Sequence, residues 1–62
     1  MLEEAIVKLL NADRQVAYAS SEISALFHQS TERVELVLDT LTEKNAVLGR
    51  MVGSRQAYYA AP

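Results

Sequence analysis

The chain has 62 residues, half of them apolar, no cysteine and a formal net charge of −2. That length predicts one domain spanning residues 1–62, with a thin margin: a domain this small buries only about 60% of the surface its unfolded chain exposes. The composition excludes disulfides and thiolate metal sites, argues against disorder, and contains no apolar run approaching the ~20 residues that cross a membrane.

Taken in chain order, Met1 is followed by LEEAIVKLL, with Leu2, Ala5, Ile6, Leu9 and Leu10 at helical spacing. This predicts a first amphipathic helix. Glu3 and Glu4 in its first turn complement the helix dipole, and they stand where a secretory signal would carry positive charge. The expected setting is a soluble, cytoplasmic, reducing one. Asn11-Ala12-Asp13 marks the helix end. Gln15 to Ala19 alternates Val16 and Tyr18, which predicts a short strand, with residues 16–18 the candidate third strand of a sheet.

Ser20 is then the expected N-cap of a second helix through SEISALFH, whose buried stripe would be Ile23, Leu26 and Phe27. His28-Gln29 forms a turn. Ser30 caps a third helix in which Val34, Val37, Leu38 and Leu41 fall at i, i+3, i+4 and i+7. Asn45 stands just past Lys44 and suits the left-handed position that ends a helix. The period then changes. AVLGRM and RQAYYA flank Gly53-Ser54, which predicts a two-residue type II′ hairpin with Gly53 at the positive-φ position. That loop pairs Val52 with Arg55, Arg50 with Ala57, Gly49 with Tyr58 and Leu48 with Tyr59. Tyr58 and Tyr59 must then face opposite sides of the sheet. Such a hairpin needs the helices to pack on.

Helix, short strand, helix, tight turn, helix and hairpin follow one another. With the residues SSEISALF, the third-helix run TERVELVLDTLTEK and the closing Tyr58-Tyr59, the chain resembles the winged helix-turn-helix superfamily of bacterial and archaeal regulators. The resemblance covers nearly the whole chain. It implies an α+β, mainly helical fold with a C-terminal wing, and a small DNA-binding transcriptional regulator acting as a homodimer or beside a protein partner. Where such regulators usually carry glycine after the third helix, this chain has Asn45.

The third helix departs further. With Val34 set at zero and about 100° per residue, Glu32, Glu35, Leu36, Asp39 and Glu43 lie between about 100° and 200°, opposite the apolar face. Arg33 and Thr40 flank them. Residues 1–43 hold all eight acids against Lys8, Arg14 and Arg33, a balance of −5; residues 44–62 hold Lys44, Arg50 and Arg55 and no acid, a balance of +3. A helix that enters the major groove supplies cations to phosphates, and one carboxylate can read cytosine, but four repel. Three readings stand beside a merely solvated helix. Conventional insertion would rest on Thr31, Arg33, Leu36 and Thr40, with Ser30 near phosphate. A wing-led contact would use Arg50, Arg55, Gln56 and the outward tyrosine, leaving the acids away from DNA; the bland account of those arginines is protection of an edge strand. A protein-docking face would centre on Leu36 within Glu32, Glu35, Asp39 and Glu43.

Little else carries chemistry. His28 is the only histidine and sits in a polar turn, where an exposed or capping role is the ordinary one. Ser20, Ser21, Ser24 and Ser30 have no visible base, and two are explained as caps. No metal site, cofactor or catalytic residue is expected. The sequence thus points to a double-stranded DNA-binding module with no enzymatic activity and no membrane role, or alternatively to a protein-interaction domain.

Overall fold

A computed structural model describes residues 1–62. The order is α1 (Leu2–Ala12), β1 (Tyr18–Ala19), α2 (Ser20–Phe27), α3 (Thr31–Glu43), β2 (Val47–Val52) and β3 (Arg55–Ala60). The three strands form an antiparallel sheet in the order β1-β3-β2. The architecture is a small α+β fold of three helices and one sheet. No helix is long and apolar enough to cross a membrane.

The apolar stripes meet in one core. Ile6 and Leu10 of α1, Ile23 of α2, Val34, Leu38 and Leu41 of α3, and Val47 and Ala60 of the sheet are buried together. Leu2, Val7, Leu9, Phe27, Val37, Tyr18 and Tyr58 close its margins. Burying side chains of this size contributes roughly 1.5–3 kcal/mol each, the main stabilisation available without disulfides.

The hairpin has the expected register: Val52 pairs with Arg55, Arg50 with Ala57, Gly49 with Tyr58 and Leu48 with Tyr59. Gly53 has φ +66° while Ser54 lacks a positive φ, the type II′ pattern. β2 extends through Val52 rather than starting at Ala46. Ala46 instead serves the end of α3, its N–H donating to the Leu41 carbonyl (2.9 Å) while Asn45 N–H donates to Thr42 (3.0 Å). With Asn45 at φ 60°, this is a Schellman termination built on asparagine.

Three expectations are corrected. The third strand forms at Tyr18–Ala19, not over 15–19 or 16–18, because residues 13–15 turn and the Val16 N–H donates back to the Asp13 carbonyl (3.2 Å). The N-cap of α2 is Ala19, not Ser20. Pairing of Ala19 with Ala57 holds it extended at φ −74°, ψ 156°, so the helix starts at the next residue. Alanine has no acceptor to offer the helix start, and only the reciprocal half of a capping box forms: Ala19 N–H donates to the Glu22 carboxylate at 2.8 Å. Leu26, expected in the buried stripe, is 55% exposed, and Ser24 is buried in its place. Ser20 and Ser24 reach Glu35 and Thr31, so the side of α2 that meets α3 is the serine side, and Leu26 is turned away.

Ser30 does cap α3, accepting from the Arg33 N–H at 3.2 Å. Between α2 and α3, His28 adopts the left-handed conformation (φ 55°), and the Gln29 N–H donates to the Ser24 carbonyl. The histidine is an exposed helix terminator.

Candidate functional site

Directly opposed residues of an antiparallel pair share a face, and neighbours along a strand alternate. The register therefore sorts the sheet. Its inner face, toward the helices, carries Tyr18, Val47, Gly49, Met51, Gln56, Tyr58 and Ala60. Its outer face carries Ala19, Leu48, Arg50, Val52, Arg55, Ala57 and Tyr59.

Arg50 and Arg55 are thus diagonal neighbours on the outer face, both exposed. Arg50 opposes Ala57, which makes Tyr59 its other diagonal neighbour, and the guanidinium carbon lies 5.6 Å from the Tyr59 ring centroid. Such a contact contributes roughly 0.5–1 kcal/mol at an exposed site and holds the guanidinium plane in place while leaving its donors free. Neither arginine has a carboxylate partner; the only ion pair joins Lys44 to Glu3 at 2.8 Å. Val52 is the apolar residue at the tip of this face and is 52% exposed. A depression of about 130 Å³ lined by Ala17, Ala19, Glu22, Val52, Arg55 and Ala57 adjoins it. The Glu22 carboxylate there is engaged by the Ala19 N–H.

Gln56, grouped with the arginines on sequence grounds, lies on the inner face, and its amide lies over Gly49. The structure does not bring it to Arg50 and Arg55.

The third helix divides its acids. Glu35 points toward α2 and accepts from the Ser20 hydroxyl at 3.2 Å. Burial, and then the charges of Asp39 and Glu35, push the Tyr58 phenol above its usual value. Glu32, Leu36, Asp39 and Glu43 fall at i, i+4, i+7 and i+11 and are all exposed, with Leu36 69% so. The sheet therefore stands between the acids of α3 and the arginines of the hairpin.

Of the remaining candidates on α3, Ser30 is committed to its cap. Thr31 lies 3.5 Å from the Ser24 hydroxyl, and Thr40 donates its hydroxyl to the Leu36 carbonyl (3.1 Å). Arg33 is exposed and without an ion pair. These side chains lie on α3, apart from the arginine face. An open depression of about 350 Å³ lies elsewhere, lined by Glu3, Glu4, Val7, Lys8 and Leu41. No three His, Cys, Asp or Glu side chains converge at a spacing that could hold a metal ion.

Sequence reasoning missed the Arg50–Tyr59 stack, although the register implied by Gly53-Ser54 already made those residues diagonal neighbours. It also missed Glu22, whose signal was a carboxylate three residues after Ala19. Comparison of the chain with models of protein families found no match, and comparison with curated proteins found none either.

Proposed function

We propose that the chain is a winged-helix DNA-binding module of the transcription-regulator kind, with β2–β3 as its wing, and that the wing makes the contact. The observation that carries this reading is the outer sheet face. Arg50 and Arg55 lie side by side there, unpaired with any acid, and Tyr59 orients one of them. A planar guanidinium with free donors suits bidentate phosphate contacts. The carboxylates of α3 are on the other side of the sheet, so a duplex on the wing avoids them. Arg33 and Thr31 at the start of α3 would add peripheral contacts, and Gln56 contributes none. Two central cations give weak binding, and a second copy on an adjoining half-site would strengthen it.

The test is fluorescence anisotropy of a labelled random duplex at about 50 mM and about 200 mM salt, a range over which phosphate-driven affinity falls steeply. Binding that weakens with salt is expected. In Arg50→Ala/Arg55→Ala the slope of log affinity against log salt should fall by about 2, one counterion for each lost phosphate contact. An unchanged slope would remove the wing from the interface.

One observation favours a second reading, a protein-docking module. Leu36 is 69% exposed within Glu32, Asp39 and Glu43. Apolar exposure bordered by these carboxylates, with Arg33 on its other flank, suits a basic, partly apolar partner. Leu36→Ala should then abolish partner binding without weakening the duplex titration.

A further inference from the structure

We propose that copies of this chain associate head to tail, the acidic stripe of α3 in one copy docking on the basic outer sheet face of the next. This inference rests on the protein-docking reading, and a duplex would compete with the neighbouring copy for Arg50 and Arg55.

The two surfaces match in length, polarity and charge. The stripe Glu32, Leu36, Asp39, Glu43 spans twelve residues along one side of α3, about 16 Å at the helical rise. The outer face of β2 from Leu48 to Val52 spans about 14 Å. Each carries exposed apolar surface: Leu36, 69% exposed, within the helix stripe, and Val52, 52% exposed, with half-buried Leu48, on either side of Arg50 on the sheet. The stripe has three carboxylates and no cation; the hairpin has two guanidiniums and no carboxylate. Charge complementarity of this kind steers encounter and sets register.

One molecule cannot join its own two surfaces. Val34, Leu38 and Leu41 of α3 pack toward Val47 and Ala60 on the inner sheet side, so the stripe and the outer sheet face look away from each other across the core. Each copy therefore presents one free surface of each kind. The contact is heterologous, and a dimer built by it still has one surface of each kind free at its ends. One helix stripe on a hairpin buries far less than the ~1,600 Å² of a standard interface. Association is weak and is suppressed by salt.

Sedimentation velocity of the intact chain tests this, with folding of every variant checked by circular dichroism. At low salt, about 20–50 mM, the wild type should gain mass with concentration up to about 1 mM. Glu32→Gln/Asp39→Asn and Arg50→Gln/Arg55→Gln, which remove charge without reversing it, should each sediment as monomers. Mixed together they should form a capped 1:1 complex, because each retains the surface the other lacks. Adding Leu36→Asp to the arginine variant makes that chain more acidic and should nevertheless abolish the complex. A wild type that remains monomeric overturns the proposal. So does self-association that persists in both variants, a mixture that stays monomeric, or a complex that survives Leu36→Asp, since that last result reports net-charge attraction alone.

Discussion

Tyr58 and Tyr59 are consecutive in β3 and look out on opposite charge: Tyr58 faces inward within the field of Asp39 and Glu35, and Tyr59 lies outward beneath the Arg50 guanidinium. Strand alternation alone produces this. It reconciles an acidic third helix with a basic hairpin inside one small fold.

Tyr58 links that arrangement to pH. Its phenol is raised above the ordinary value of 10.0, first by burial and then by Asp39 and Glu35. The folded state therefore holds the proton longer than the unfolded chain does. This contribution to stability is fully present below the unfolded value and is lost as pH rises through the folded one. Tyr58→Phe should flatten the fall in stability above about pH 10, read by urea denaturation across that range. An unchanged alkaline slope would show that Tyr58 does not govern it.

Ser30 and Ser20 look alike in sequence and differ in structure. Ser30→Ala removes the acceptor for Arg33 N–H and should cost about 1 kcal/mol. Ser20→Ala removes only an exposed bond to Glu35 and should stay within about 0.5 kcal/mol. Paired urea titrations compare them, and equal losses would contradict the assignment of the α2 cap to Ala19.

His28 occupies a left-handed position at φ 55° with its side chain in solvent. His28→Gly relieves the Cβ penalty there, offset in part by a more flexible unfolded chain, and should stabilise by up to about 1 kcal/mol. A thermal melt should then show a midpoint higher by several degrees, about 4–8 °C per kcal/mol for a chain of this size. A lower midpoint would mean that the imidazole makes a favourable interaction outweighing its strain.

Leu38 is fully buried where α3 meets the core. Leu38→Ala should cost about 2–5 kcal/mol, comparable to the whole stability of so small a domain. Loss of the helical circular-dichroism signal at 25 °C, or a urea midpoint near zero, is the expected result. A cooperative transition near the wild-type midpoint would show that the core collapses around the gap.

Much of this fold was legible because local chemistry settled it. Gly53-Ser54 set the hairpin register, Ser30 and Asn45 bounded α3, and the period of Ile6, Leu10, Val34, Leu38 and Leu41 named most of the core. What escaped depended on distant partners. Ala19 caps α2 because Ala57, thirty-eight residues further on, holds it extended. Leu26 is exposed because α3 meets the serine side of α2. Alternation required Tyr58 and Tyr59 to diverge, but only the packing of the helices decided which went inward. The same decision put Arg50 and Arg55 on the outer face; the alternation of Arg55 and Gln56 along β3 had already separated Gln56 from them.

The strand order β1-β3-β2 has a consequence for biosynthesis. β3 is the sixth element in the chain and the middle of the sheet, hydrogen-bonded on both sides. While it is still within the ribosome, β1 has no neighbour and β2 has no hairpin partner. The helices at that stage lack the β3 side of their core, Ala60 included. Folding of this unit must therefore be completed after residues 55–60 leave the exit tunnel, and a nascent chain stalled before that point should remain sensitive to protease.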